Sequence, residues 1–325
     1  LITGAAGFIG SNLLENLLKL NQKVIGLDNL STGSKDNINK AIEDSGLSQK
    51  NELFKFIEGD VSDYTTCKKY TVGVDFVLHQ AALGSVPRSI KNPLDSNNSN
   101  VSGFLNMLYA AKEESVESFV YASSSSVYGS DVSLPKVEEN IGEPLSPYAL
   151  TKSINEQYSE VFSKTYDFNS IGLRYFNVFG KRQNIHGPYA AVIPKWIIAL
   201  INEEPVQIYG DGLTSRDFCY VQNAVQANIL AALSKNSKAS GRVYNVALND
   251  TTSLTDLYTM IKSILINYTS SEIKHNAEYL DFRSGDIKSS QADISKIVSD
   301  LGYVPSHKIK EGLMETVKWY IDNNE

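Results

Sequence analysis

The chain has 325 residues, 42% of them hydrophobic, and 30 Lys+Arg against 37 Asp+Glu give a formal charge of −7. That balance argues against a nucleic-acid or anionic-membrane partner, which would need a broad basic face, but not against a small anion held by a few placed cations. The length predicts two domains, or one large sheet-based unit with an appended lobe. Cys67 and Cys219 are too far apart in sequence to read as a disulfide framework, and the four His show no paired metal-ligand spacing, so no metal site is expected. No apolar run approaches the roughly 20 residues of a membrane span, and no signal peptide is visible. A reducing, cytoplasmic location is expected. Residue 1 is Leu inside a predicted strand, so the natural protein is expected to begin upstream.

In chain order, β-rich apolar runs alternate with helical patterns. The predicted strands are Leu1–Thr3, Lys23–Leu27, Phe54–Glu58, Val74–Leu78, Ser118–Ala122 and Ser170–Arg174. Between them the spacing predicts helices over Phe8–Leu20, Ser34–Asp44, Ser62–Tyr70, Leu94–Glu114 and Tyr148–Tyr166. This rhythm predicts an α/β fold, a doubly wound parallel sheet of Rossmann type with its ligand beyond the carboxyl ends of the strands. Beyond residue 177 the pattern loosens, with helices near Pro194–Asn202, Val221–Leu233, Leu254–Ile266 and Lys310–Asp322. We therefore expect a dinucleotide-binding domain over residues 1–177 and a smaller mixed α/β lobe over 178–325 that binds substrate and crosses back to the first domain.

The first strand runs into Gly4, Gly7 and Gly10, and a helix follows. Gly4 permits the tight turn, Gly7 lets backbone approach a pyrophosphate, and Gly10 lets the helix pack on the strand. The helix N-terminus then offers N–H groups and a positive dipole end to phosphate. The second strand ends at Asp28, 18 residues after Gly10. A carboxylate there accepts hydrogen bonds from ribose hydroxyls and repels a 2′-phosphate, which favours NAD over NADP. Asp60, after the third strand, could meet the adenine edge or simply cap a helix.

Tyr148 and Lys152 fall at i and i+4, on one helix face. A phenol of ordinary pKa about 10 is a poor base, and bringing it near 7 needs about 4 kcal/mol of differential stabilisation, which a neighbouring ammonium can supply in part. The spacing recurs at Tyr64/Lys68 and Tyr258/Lys262, both read as solvated helix-face pairs. The middle pair stands out because Ser123–Ser126 close the fifth strand, where this fold gathers catalytic groups. Ser124 is the candidate to hydrogen-bond the same substrate oxygen as Tyr148.

With these residues in place, the chain resembles the extended short-chain dehydrogenases/reductases, specifically the nucleotide-sugar 4-epimerases. The matching stretches are TGAAGFIGSNL, GLDNLSTG, GDVSD, HQAALGSVPRSI, SSSSVYG, SPYALTK, GLRYFNVFG, SRDFCYV and RSGDI, in family order from residue 3 to 287. The resemblance makes Ser124, Tyr148 and Lys152 the catalytic triad, with Tyr148 taking the proton of a sugar 4-hydroxyl as the C4 hydride passes to NAD. It also places Phe8, Ile9, Asn29, Asp60, Val61, Gln80, Ala81, Ala82, Asn100 and Tyr175 along the cofactor. Toward a UDP-sugar it implies Gly84, Ser85, Ser125, Ser126, Asn177, Gln183, Ala191 and Val192. Gln207 to Tyr209 would form the uracil wall, Arg216 and Arg283 the diphosphate clamps, and Asp286 the partner of the uridine ribose.

Related dehydratases carry Asp-Glu, and decarboxylases a Glu, where this chain has Ser125-Ser126, so simple epimerisation is favoured. Ser290 stands at the family's gatekeeper position, where a small residue leaves room for a 2-acetamido group, and Gly84 likewise removes bulk. The resemblance is therefore greatest to UDP-N-acetylglucosamine 4-epimerases of bacterial surface-polysaccharide pathways. The corresponding uronic acid and then plain UDP-glucose are alternative substrates. A 4-reductase or decarboxylase, and a non-catalytic NAD-binding scaffold, are the alternatives of other classes. A homodimer joined through the Leu94–Glu114 and Tyr148–Tyr166 helices is implied by the family.

Overall fold

A computed structural model of the chain describes residues 1–49, 51–185, 191–270, 276–282 and 288–323. All six predicted strands are present, with ends moved by no more than two residues: β1 (Ile2–Thr3), β2 (Val24–Asp28), β3 (Phe54–Glu58), β4 (Phe76–His79), β5 (Ser118–Ser124) and β6 (Ser170–Tyr175). Short strands follow in the second half: β7 (Val178–Phe179), β8 (Gln207–Tyr209), β9 (Ser215–Arg216), β10 (Cys219–Tyr220), β11 (Arg242–Val246), β12 (Thr252–Ser253) and β13 (Glu278–Leu280). Among the described residues the main sheet has seven strands, not six, in the order β11-β6-β5-β4-β1-β2-β3, all parallel. The sequence pattern missed β11 because it lies far along the chain and is identified as a sheet strand only by pairing with β6.

Helices cover both faces. On one face lie α1 (Phe8–Lys19), α2 (Lys35–Asp44), α9 (Val221–Leu233) and α11 (Ser295–Leu301), which bury Leu13, Leu14, Ile38, Ala227 and Ile297. The other face carries α3 (Tyr64–Thr71), α6 (Gly103–Glu113) and α7 (Pro147–Tyr166), with Cys67, Phe104, Met107 and Phe162 in its core. Ahead of α6 come two short helices, α4 (Val86–Lys91) and α5 (Pro93–Asn97). The lobe is built on α8 (Val192–Ile201), α10 (Leu254–Thr269) and α12 (Ile309–Asn323), whose Trp196, Ile261 and Val317 pack into a separate core.

One predicted helix needs correction. Leu94–Glu114 is not continuous: α5 passes through a π-helical turn, Asn98–Ser102, before α6. Such a turn accommodates an extra residue within a helix and often sits at a functional site. Here it carries Asn100, whose side chain accepts from the Leu83 N–H (2.7 Å) and donates to the Leu83 carbonyl (3.1 Å) and the Thr151 hydroxyl (3.2 Å).

The order of the sheet reverses at β1, which has β2 on one side and β4 on the other. A crevice opens beyond the carboxyl ends of strands at such a reversal. Thr3 pairs with Leu27 and with His79, so Gly4, Asp28 and Gln80 leave the sheet side by side.

Candidate active site

The crevice holds a cavity of about 450 Å³, lined by Gly4, Gly7, Phe8, Ile9 and Gly10 of the glycine turn, and by Asp28, Asn29 and Val61. From the opposite side come Gln80, Ala81, Ala82, Gly84, Ser124, Tyr148, Lys152, Tyr175 and Gln183. The glycines are demanded by the geometry. Gly4 has φ +68°, and a Cβ there would stand 2.8 Å from the Ala81 nitrogen. A Cβ on Gly10 would stand 2.0 Å from the Gly4 carbonyl oxygen, so only glycine lets α1 start this close to β1.

Asp28 is buried, and its two carboxylate oxygens accept from the Ala6 N–H (2.9 Å) and the Leu30 N–H (2.8 Å). Burial pushes its pKa up, against those two backbone hydrogen bonds. The carboxylate retains lone pairs for ribose hydroxyls. A backbone cradle that a Cβ would fill, a helix N-terminus and an acceptor at the end of β2 together fit a dinucleotide. Asp60 does not line the cavity; its carboxylate accepts from the Asn29 side chain (2.7 Å) and from the Ser62 N–H (2.8 Å), which fixes Asn29. Asn100 is also turned away, since its bonds hold Leu83 against α7 instead.

On the catalytic side, α7 begins with Ser146 as cap, accepting from the Ala149 N–H (3.1 Å), and Pro147 in the first turn. The Tyr148 N–H donates to Ser89 Oγ (3.0 Å), which seats this end of the helix on α4. Among the four serines, Ser123 donates to Glu156 (2.5 Å), and Ser124 Oγ accepts from the Ser126 N–H (3.1 Å) at the cavity wall. Ser125 and Ser126 do not line the cavity, and Ser126 Oγ is buried without a partner among the described residues.

Burial raises the Tyr148 phenol, and the hydrogen bond of Ser124 opposes the rise. Lys152 is 3% exposed and donates to the Ala122 carbonyl (2.7 Å). Burial pulls its pKa down to about 8, against the Glu156 charge. The ammonium is thus held at the end of β5.

Two supporting residues, Asn228 and Glu156, were not among those expected from sequence. Tyr175 donates to the Gln80 side chain (3.0 Å) and accepts from Asn228 (2.7 Å), which itself accepts from Gln80 (3.0 Å). Asn228 lies on α9, about fifty residues beyond the motif it supports, with no local signal. Glu156 did carry a signal, being at i+8 from Tyr148 on the same helix face. Tyr64/Lys68 and Tyr258/Lys262 lie on α3 and α10 and do not line the cavity.

The lobe residues are spread differently. Gln183 reaches the cavity, with Nε2 donating to the Val178 carbonyl (3.2 Å) and Oε1 buried without a partner among the described residues. Its loop is pinned to α1: Arg182 donates to Glu15 and Asp44 (2.6 Å each), and Lys181 lies 2.7 Å from Glu15. Arg216 and Ser290 are neighbours, because the Arg216 guanidinium (2.8 Å) and the Ser290 N–H (3.2 Å) both donate to the Ser215 carbonyl. Ser85 caps α4, Asn177 is exposed with φ 31°, Ala191 and Val192 open α8, and Gln207 and Tyr209 bound β8. None of these eight residues, Arg216 and Ser290 included, lines the cofactor cavity. Arg283 and Asp286 lie outside the described residues.

The sheet, the glycine turn and the Ser-Tyr-Lys cluster define a dinucleotide-dependent short-chain dehydrogenase/reductase. Residues 1–247 match the NAD dependent epimerase/dehydratase family, and the chain belongs to it, with NAD as its cofactor. It is similar to the solved UDP-N-acetylglucosamine 4-epimerase of Methanobrevibacter ruminantium M1 in complex with UDP-N-acetylmuramic acid, at 40% identity and TM-score 0.89, covering 99% of this chain and 97% of that one. It is also similar to the UDP-glucuronic acid 4-epimerase of Bacillus cereus, solved with UDP-glucuronic acid and NAD, at 30% identity and TM-score 0.85, covering 99% and 98%. The UDP-glucose 4-epimerase of Mycolicibacterium smegmatis is 31% identical over 100% of this chain and 99% of its own. Among the described residues no helix is long and apolar enough to cross a membrane.

Proposed function

We propose that the chain is an NAD-dependent 4-epimerase that interconverts UDP-N-acetylglucosamine and UDP-N-acetylgalactosamine. The observation that carries this reading is the composition of the cavity lining. Ser124, Tyr148 and Lys152 share it with Gly84, where an added Cβ would meet nothing within 4 Å. Acid/base groups suited to a hydroxyl thus line the same cavity as open space suited to a 2-acetamido group. The 40% identity to an enzyme named for that sugar supports the same choice. Ser125 and Ser126 supply no carboxylate for eliminating water or carbon dioxide.

NAD, when bound, supplies a hydride acceptor at the sugar C4 and a donor back to its other face. Tyr148 Oη takes the 4-hydroxyl proton and later returns it, and Ser124 Oγ hydrogen-bonds the same sugar oxygen. The Lys152 ammonium favours the phenolate once water is excluded. Residues 1–177 mainly hold the cofactor. Residues 178–325 mainly hold the UDP-sugar, with Arg216 and Arg283 toward its diphosphate. A homodimer through α5, α6 and α7 fits their exposed apolar side chains Leu94 (82% exposed), Tyr109, Leu150 and Val161.

A second reading, the C6-oxidised acid of the same sugar, is favoured by Arg88. It is half-buried on α4, one residue before the Ser89 that receives the Tyr148 N–H. Product analysis with UDP-N-acetylglucosamine, its uronic acid and UDP-glucose in parallel decides. The first should react about tenfold faster than the others in kcat/KM. Faster turnover of the acid selects the second reading, and net NADH or carbon dioxide overturns epimerisation. Ser290→Tyr should lower kcat/KM on the acetamido sugar about tenfold and on UDP-glucose much less. Equal loss on both removes Ser290 from the specificity argument.

A further inference from the structure

Below the cavity floor lies a buried ion pair that no step above uses. Glu156 follows Lys152 by one helical turn, as Lys152 follows Tyr148, so the three share one face of α7. Arg174, at the end of β6, donates to both Glu156 oxygens, from Nε (2.9 Å) and from Nη2 (2.8 Å). The side chains are 3% and 11% exposed for Arg174 and Glu156. Such a fork fixes orientation as well as distance.

Each member of the pair reaches a second catalytic element. Glu156 Oε1 also accepts from Ser123 Oγ (2.5 Å), the residue before Ser124, and Ser123 is the ladder partner of Arg174. Arg174 Nη1 donates to the Glu138 carbonyl (2.9 Å), and the guanidinium lies 4.9 Å from the centre of the Tyr128 ring. Tyr128 closes the turn Ser125–Tyr128 that Ser124 caps. Between them, Glu156 and Arg174 thus hold the end of β5, the turn after it and the helix bearing Tyr148 and Lys152.

The charges are arranged to matter. A buried ion pair is costly to desolvate, and replacing such pairs by apolar side chains often stabilises a protein, so stability alone gives weak reason for one here. Lys152 feels the charge of Glu156 on α7 and acts on His79 at the end of β4, while Glu156 in turn acts on Tyr121 of β5 and pairs with Arg174 of β6. His79 is uncharged at neutral pH, pushed down to about 3 by burial and by the Lys152 charge. Burial drives the Tyr121 phenol above its usual range, so it too is neutral. Arg174 is a second cation, and Glu156 is the carboxylate that opposes both.

We propose that Glu156 is a positioning residue for the reaction: through Ser123 and Arg174 it aligns Ser124 with α7, and its charge keeps the Lys152 amine protonated in the dry site. The kinetic arm of the test rests on the catalytic reading above; the labelling arm does not, so the two can fail separately. As pH rises through the Lys152 pKa the ammonium is lost, and removing an anion moves that loss to lower pH.

Glu156→Gln keeps the shape and removes the charge. The alkaline limb of kcat should move down by about half a pH unit or more, with KM for the sugar changed less than about twofold. Independently of turnover, the pH for half-maximal acetylation of Lys152 by trace acetic anhydride, read by mass spectrometry, should fall equally. An unmoved labelling midpoint overturns the electrostatic role, whatever happens to kcat. If that variant does not fold, Glu156→Asp withdraws the charge by one methylene and should show a smaller shift in the same direction; no shift overturns the role equally. Ser123→Ala leaves both charges paired, and should lower kcat about three- to tenfold with the midpoint unmoved. Unchanged kcat in that variant overturns the alignment role.

Discussion

The cofactor cavity and the residues proposed to hold the sugar are built by different means. On the cofactor side, Gly4 to Gly10, Asp28 and Gln80 each sit within a few residues of a strand end, and the parallel sheet brings those ends together. The residues proposed for the sugar, Asn177, Gln207, Arg216 and Ser290, come from short strands and loops spread over more than a hundred residues. The first side is fixed by a sheet that exists for its own packing reasons. The second is fixed by how the lobe is joined to that sheet. Disturbances should therefore act on cofactor retention in one region and on the joint or the sugar in the other.

The largest effect should come where the regions meet. Tyr148→Phe removes the hydroxyl proposed to take the 4-hydroxyl proton and should lower kcat about 10²–10⁴-fold, with bound NAD retained. Retained turnover would return the protein to the scaffold reading. Loss of NAD along with turnover would mean that the seam is part of the cofactor side, and the contrast between the regions would blur.

Next comes the joint itself. Glu15 of α1 is 1% exposed and meets Arg182 (2.6 Å) and Lys181 (2.7 Å) from the loop that carries Gln183. Burial alone would raise the Glu15 carboxyl, but the Arg182 and Lys181 charges outweigh it and hold the pKa at about 2. Removing one member of a buried pair strands the other charges, so Glu15→Gln should cost about 3–5 kcal/mol at neutral pH. Because the folded pKa is depressed, this stabilisation is present above the ordinary value of 4.5 and is lost as pH falls toward 2. Thermal midpoints of the two proteins from pH 7 to 3 should therefore converge below about 4.5. A gap independent of pH would show that the joint is held by packing rather than charge.

Gly10→Ala tests the cofactor side alone. Its methyl would fall 2.0 Å from the Gly4 carbonyl oxygen, so the turn must open. Overpacking of this kind costs about 1–3 kcal/mol, and the NAD dissociation constant should rise by about tenfold or more. Fluorescence titration with NADH measures it, and full affinity would mean that α1 can shift without loss.

The same contrast explains what could be read from sequence. The glycine turn, Asp28 and the Tyr148/Lys152 pair were legible because each lies within one helix or one strand-to-helix turn, where spacing fixes geometry. Strand β11, Asn228 and Arg174 were not, because their roles exist only after β11 pairs with β6, α9 covers the sheet, and β6 lies beside β5. The π-turn at Asn100 was hidden for a related reason: apolar periodicity reports a helix, but not a local bulge or the side chain on it that bonds Leu83. For the Tyr148 phenol, i, i+4 spacing gives proximity to Lys152 but not where the ammonium donates, and that donation goes to the Ala122 carbonyl.

Gly84→Ala should have the smallest effect, and the sign of its substrate dependence is the informative part. Unlike Gly10, Gly84 has no atom within 4 Å of an added Cβ, and its φ is not in the left-handed region. Folding, NAD content and thermal midpoint should therefore be unchanged. A methyl can be felt only by something that enters the open space, and one methylene in a pocket is worth about 1–3 kcal/mol at most. If the acetamido group occupies that space, kcat/KM on UDP-N-acetylglucosamine should fall a few-fold while UDP-glucose is unaffected. An equal fall on both sugars would place the sugar ring itself there. No change on either would move the acetamido group elsewhere, and Gly84 would then be glycine for no reason the cavity supplies.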